Sequence, residues 1–240
     1  MRKAFLVILS LAFCIAAKAQ SAVDSNEFRK TDFSITYDIN IISNKKKTIA
    51  ESYNGAVKSV FVKGNTVKLR LVSLMRIQNI YYQHRTTDTS AVAVIAKESG
   101  KAKYKFKLGK SNWELFNAKY ATVEVKLSDD SLVLLNRVCK KATLTYPDGS
   151  SLTAYYLPGT KNEALSAAEP MFAALPGIVL QYEYHQGKKG ILYTASRISF
   201  EPLAISHFTI PTKGYPTKKF APGKTFKGNI PEDEDDEEED

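Results

Sequence analysis

The chain has 240 residues, 34 of them Lys or Arg against 25 Asp or Glu, with 44% apolar and 11% aromatic side chains. That apolar fraction is ordinary for a globular protein; it excludes a wholly disordered chain, a collagen-like repeat and a disulfide-stapled miniprotein. Beyond the N-terminus no apolar run approaches the roughly 20 residues that a spanning helix needs, which excludes a multi-span helical membrane protein.

Met1-Arg2-Lys3, an apolar stretch from Ala4 to Ala17, and Ala17-Lys18-Ala19 before Gln20 have the layout of a secretory leader, with cleavage expected after Ala19. Residues 1–19 are therefore expected to be a signal peptide and 20–30 a flexible lead-in to one antiparallel β domain over 31–215. Phe13 before Cys14 speaks against lipidation there. Without the leader one thiol remains, Cys139, either buried and inert or paired with another molecule.

Alternating apolar and polar residues, the period of a half-buried strand, dominate the body. Phe33, Ile35, Tyr37 and Ile39 share one face. Val57–Val62, the turn Lys63-Gly64-Asn65-Thr66 and Val67–Leu71 predict a hairpin with its basic residues outward. Further strands are expected at 77–83 and 91–96. Glu98-Ser99-Gly100 then turns the chain into Lys101–Leu108, where Lys101, Lys103, Lys105 and Lys107 alternate with Ala102, Tyr104, Phe106 and Leu108. Four ammonium groups on one face, about 7 Å apart, need solvent, a cross-strand acid or an anionic partner. They read either as protection of an edge strand or as an anion-binding stripe.

Residues 112–119 predict a short helix or a loop. Strands 122–127 and 132–138 are expected to flank a Ser128-Asp129-Asp130-Ser131 turn, and Pro147-Asp148-Gly149 to join 142–146 to 152–156 in a hairpin. A helix interrupted by Pro170 is expected over 162–172. In Leu175-Pro176-Gly177, Pro would stop it and Gly would take a conformation other residues avoid, a structural role preferred over ligand contact. Strands 178–184 and 191–199 flank a 187–190 turn. After Pro211 the chain becomes Pro-, Gly- and Lys-rich, and 216–240 is expected to be a disordered arm ending in nine consecutive acids, Glu232–Asp240. Segment 20–231 holds 31 basic and 16 acidic residues, a net of +15. The acidic run reads as a solubilising tail folded loosely on the basic body, as a docking tail for a basic partner, or more weakly as a hard-cation binder.

Three motifs taken together resemble the GLPGLI proteins and related exported proteins of Bacteroidetes: Cys139-Lys140-Lys141-Ala142 with Tyr146-Pro147-Asp148-Gly149 and Ala154-Tyr155-Tyr156; Ala174-Leu175-Pro176-Gly177-Ile178-Val179-Leu180; and Phe208-Thr209-Ile210-Pro211-Thr212-Lys213-Gly214-Tyr215. The resemblance implies a LolA-like architecture, an antiparallel half-barrel with an apolar concave face under short helices. It implies no catalytic residue.

The residues themselves point away from catalysis. His84, His185 and His207 lie far apart without metal-ligand spacing, and no nucleophile elbow or phosphate-cradling loop appears. No cofactor is expected. The fold expectation is a mainly β protein, a curved antiparallel meander with one or two short helices. The functional expectation is a non-catalytic, exported protein, free in the periplasm or associated with the outer membrane, that holds a lipid or lipoprotein acyl chain and draws anionic headgroups to a Lys-rich rim. The alternative is an accessory or scaffold subunit of an outer-membrane or secretion complex, docking through the basic face and acidic tail. Nucleic acid is not expected as a partner.

Overall fold

The computed structural model describes residues 27–30, 32–42, 53–84, 92–186 and 189–221. The expected leader and acidic tail lie outside them. Eleven strands form one antiparallel sheet: β1 (Phe33–Ile42), β2 (Val57–Lys63), β3 (Thr66–Val72), β4 (Arg76–Gln83), β5 (Ala93–Ser99), β6 (Ala102–Leu108), β7 (Glu124–Leu134), β8 (Arg137–Thr145), β9 (Ser151–Pro158), β10 (Gly177–Gln186) and β11 (Lys189–Ser199). Their spatial order is β6-β5-β4-β3-β2-β1-β11-β10-β9-β8-β7. Two meanders thus meet at β1 and β11, and β6 and β7 remain unjoined edges. The helices are α1 (Glu27–Lys30), α2 (Lys110–Phe116) and α3 (Glu163–Ala168), the last followed by a 3-10 turn, Pro170–Phe172.

Alternation sorts the side chains onto two faces. Phe33, Ile35, Tyr37 and Ile39 of β1 are buried, and so are Val60 and Val62, Val67 and Leu69, Ile80 and Tyr82, Ile95, Phe106 and Leu108 at matched register across β2–β6. The other meander contributes Leu144, Leu152, Ala154, Leu180, Tyr182, Ile191 and Tyr193. A broad sheet with one apolar face buries it only by curling around a cover. Here α3 touches β3 and β4 of one wing, while the Tyr146 hydroxyl, just past β8 on the other wing, donates to the Met171 carbonyl at 3.3 Å. The expected curved, open antiparallel sheet with short helices is thus the observed architecture.

Some elements differ from expectation, each for a local reason. Ser128–Ser131 is not a turn: β7 runs through it with a register shift between Leu127 and Ser131, and the Asp130 amide donates to the Ser128 hydroxyl. The chain reverses instead at Leu135-Asn136, both at positive φ (49° and 60°), a conformation rare for leucine. Lys58 does not point outward with the other hairpin lysines. It sits at the same parity as Val60 and Val62 and is buried on the inner face.

Residues 205–221, whose last six were expected in the disordered arm, form a strap over the outer face. The Lys105 amide donates to the Pro216 carbonyl (3.0 Å) and the Lys218 amide to the Lys105 carbonyl (2.8 Å), a parallel bridge on the β6 edge. Further along, Phe220 reaches Phe116 of α2, with ring centroids 6.3 Å apart.

Candidate binding site on the inner sheet face

Among the described residues, three spaces lie between the sheet and its helical cover. The largest, about 440 Å³, is lined by Tyr82, His84, Val92, Trp113, Asn117 and Ala167 among others. Sites for small molecules commonly span about 300–1,000 Å³, mostly apolar with a few polar groups. Trp113, the sole tryptophan, is the central wall. Its ring lies 5.2 Å from Tyr82 and 5.5 Å from Phe116, and its indole N–H donates to the Ala167 carbonyl at 3.1 Å, tying α2 to α3. Burial, aided by the Glu114 carboxylate, raises the Tyr82 pKa, so the phenol stays neutral. Lys110 and Glu114, exposed on α2, give the cleft a charged rim of both signs.

Two smaller hollows, of about 30 and 20 Å³, flank Glu169. The first is lined by Lys58, Leu69, Ile80, Gln78, Met171 and Tyr182 among others; the second includes Tyr37, Ser166 and Phe172. All three spaces share one short segment, Ser166–Phe172. Ala167 and Pro170 face the large cleft, Glu169 and Met171 the Lys58 hollow, and Ser166, Glu169 and Phe172 the third. This stretch is a partition.

A buried ion pair between Lys58 and Glu169 fastens it. The Lys58 ammonium also donates to the Tyr182 hydroxyl at 3.1 Å. It lies 5.1–6.0 Å from the ring centroids of Tyr182, Tyr37, Tyr193 and Phe172, within cation–π range. Tyr182 and Tyr193, direct cross-strand partners, stack at 4.3 Å. Burial by itself would lower the Lys58 pKa; the Glu169 carboxylate and Tyr37 outweigh it and hold it above the ordinary lysine value. Burial raises the phenols of Tyr37, Tyr182 and Tyr193 further still. The Tyr37 hydroxyl donates to the Val179 carbonyl at 2.7 Å.

The structure spreads the residues singled out from sequence over several places. Lys103, Lys105 and Lys107 do share the outer face of β6, while Lys101 sits in the turn before it. The stripe is nevertheless partly occupied by the chain itself. Lys103 bridges to Glu98 across the strand pair at 2.9 Å, and Lys105 is buried beneath the strap, donating to the Pro211 carbonyl at 2.8 Å. Tyr215 hydrogen-bonds Glu98 and packs on Tyr81, Val94 and Ala96. Cys139 is wholly buried, its thiol pKa pushed up to about 11 by desolvation.

Leu175 is fully buried, and the Pro176 carbonyl accepts from the Gly159 amide at 3.1 Å. Gly177 is not at positive φ, contrary to expectation. It is required because a Cβ there would sit 1.9 Å from the Leu157 carbonyl oxygen.

The histidines do not converge. His185 pairs with Glu183 at 2.9 Å, His207 stacks on Phe61 at 5.2 Å, and only His84 lines the cleft. Among the described residues no group of three or more His, Cys, Asp or Glu is placed to hold a metal, and no helix is long and apolar enough to cross a membrane. Sequence reading missed Lys58, Glu169 and Trp113 as site residues. The one available signal was a lysine at a core-parity position of β2.

No protein-family model matches the chain, and no curated protein matches it either, so membership of the GLPGLI family is not shown. Several solved structures resemble it in overall shape. PNGF-II aligns over 79% of this chain and 31% of its own, at 11% identity and a TM-score of 0.43. The MucA/MucB complex of Pseudomonas aeruginosa aligns over 78% of this chain and 58% of its own, at 12% identity and 0.41. The lipoprotein LppX of Mycobacterium tuberculosis aligns over 75% of this chain and 92% of its own, at 10% identity and 0.38. The chain spans less than two thirds of the first two, and with every TM-score below 0.5 the site stands on its own residues.

Proposed function

We propose that the chain is a non-catalytic binding protein of the cell envelope, exported by its N-terminal leader, that holds an apolar or amphipathic molecule such as a lipid acyl chain between its inner sheet face and helical cover. The cleft walled by Trp113, Tyr82 and Val92 carries this reading: it has the volume and mostly apolar lining of a ligand site. Its charged rim at Lys110 and Glu114 suits a ligand with a polar end. The alternative of a scaffold docking through the lysine stripe draws less support, because Lys103 and Lys105 already have intramolecular partners.

Trp113 supplies the test. Native mass spectrometry of protein isolated from cells should show a lipid-sized adduct. Delipidated protein should bind medium-chain amphiphiles with a saturable change in tryptophan emission. An adduct-free protein whose emission no amphiphile alters would overturn the reading.

A further inference from the structure

We propose, resting on that binding role, that Lys58 receives the ligand's head: the occupant is an anionic amphiphile of the fatty-acid type, whose carboxylate replaces that of Glu169 on the Lys58 ammonium. The first support is spatial. Tyr82 lines the large cleft, and Ile80 and Gln78, on the same face of β4 and successively about 7 Å further along, line the Lys58 hollow. One strand face thus runs from cleft to ammonium, interrupted only by the partition Ser166–Phe172. Moving that segment joins the two spaces into one tract, with aromatic and aliphatic walls and a positive charge at its end.

The second support is electrostatic. A buried ammonium stripped of its partner is costly, and a buried carboxylate likewise. Exchange of one carboxylate for another avoids the first cost, because Lys58 stays paired throughout. The rings of Tyr37, Tyr182, Tyr193 and Phe172 and the Tyr182 hydroxyl hold the ammonium in place during the swap. On the other side of the partition Glu169 also lines a hollow beside Ser166 and Asn162, the space into which its displaced carboxylate would turn. No comparable exchange is open to a neutral ligand, which would have to leave the Lys58–Glu169 pair intact and stay in the outer cleft.

The test compares laurate with 1-dodecanol, alike in chain and different in head charge, by Trp113 emission and calorimetry on the full chain. Glu169→Gln removes the competing carboxylate and is expected to tighten laurate about tenfold or more, in line with a hydrogen bond to a charged group. Dodecanol should change less than about threefold. The double variant Lys58→Met/Glu169→Gln, which removes both charges of the pair and strands neither, should bring laurate down to the affinity of dodecanol. Equal responses of the two probes in all three proteins would overturn the assignment of Lys58 while leaving the binding role standing. Failure of both probes to bind any of the proteins would overturn the binding role itself.

Discussion

Raising the pH from about 8 to about 11 is expected to unfold the protein, and the inner-face tyrosines set the size of the effect. Tyr37, Tyr146, Tyr182 and Tyr193 are each at most 4% exposed, and burial holds all four phenols far above the ordinary value of 10.0. In the unfolded chain they ionise near 10. Above that pH the folded state therefore binds more protons than the unfolded state, and stability falls as pH rises. At about pH 11 each unfolded phenol gains about 1.4 kcal/mol from ionisation, so the four together remove about 6 kcal/mol. Whole domains are commonly stable by only about 5–15 kcal/mol. Lys58, whose pKa is also raised in the folded state, acts with the same sign: its contribution is complete below the unfolded lysine value and is lost as pH rises through the folded one. Urea melts followed by circular dichroism and Trp113 emission at increasing pH measure the loss, while near-ultraviolet absorbance counts tyrosinate. Titration of all thirteen tyrosines near pH 10, in a protein whose circular dichroism stays native, would refute the burial of this cluster.

Two further outcomes test the frame around the site. Gly177→Ala should destabilise by about 3 kcal/mol, as over-packing against a rigid wall does, because the obstacle is the Leu157 backbone carbonyl, 1.9 Å from the new Cβ; a loss of unfolding free energy in urea melts below about 1 kcal/mol would refute that close approach. The Cys139 thiol, buried and with its pKa at about 11, should resist thiol reagents at about pH 8 until the protein is unfolded. Peptide mapping that finds Cys139 labelled in the native protein would show it to be accessible.

The sheet was largely legible because period-two alternation is a local signal that survives without knowledge of partners. It placed Phe33, Ile35, Tyr37 and Ile39 on the buried face, and Tyr104, Phe106 and Leu108 opposite the β6 lysines. Local turn chemistry was less reliable. Asp and Ser at 128–131 read as a turn yet form a bulge, while Leu135-Asn136, with a residue that seldom adopts positive φ, makes the reversal. Gly177 was expected to take a conformation other residues avoid, whereas it lies in a close interstrand approach, which leaves no trace in a single sequence. The site was legible least of all. Lys58 and Glu169 are separated by 111 residues, and Trp113 meets Ala167 across 54. Such pairings arise only once the sheet has curled around α3.

The two lysine sets differ in what surrounds their charge. On β6 the alternating lysines are conspicuous in sequence, yet two of them have partners within the chain: a cross-strand Glu98 for Lys103, and the strap's Pro211 carbonyl, a hydrogen-bond acceptor, for Lys105. The exposed Lys103–Glu98 pair contributes about 0–1 kcal/mol, while the buried Lys105 seats the strap along an otherwise open edge. Lys58 is a single inconspicuous residue in β2, but its ammonium is buried among four aromatic rings, and removing its partner would leave a charge that costs about 3–5 kcal/mol. A charge so expensive to strand constrains what lies beside it far more than a solvated row of lysines does. The segment it holds, Ser166–Phe172, is also the wall between the three inner spaces. Any rearrangement that enlarges the site must therefore either keep an anion on Lys58 or bear the cost of leaving it alone, and in the proposed binding role this would couple the charge of a ligand's head to the size of the cavity open to its tail.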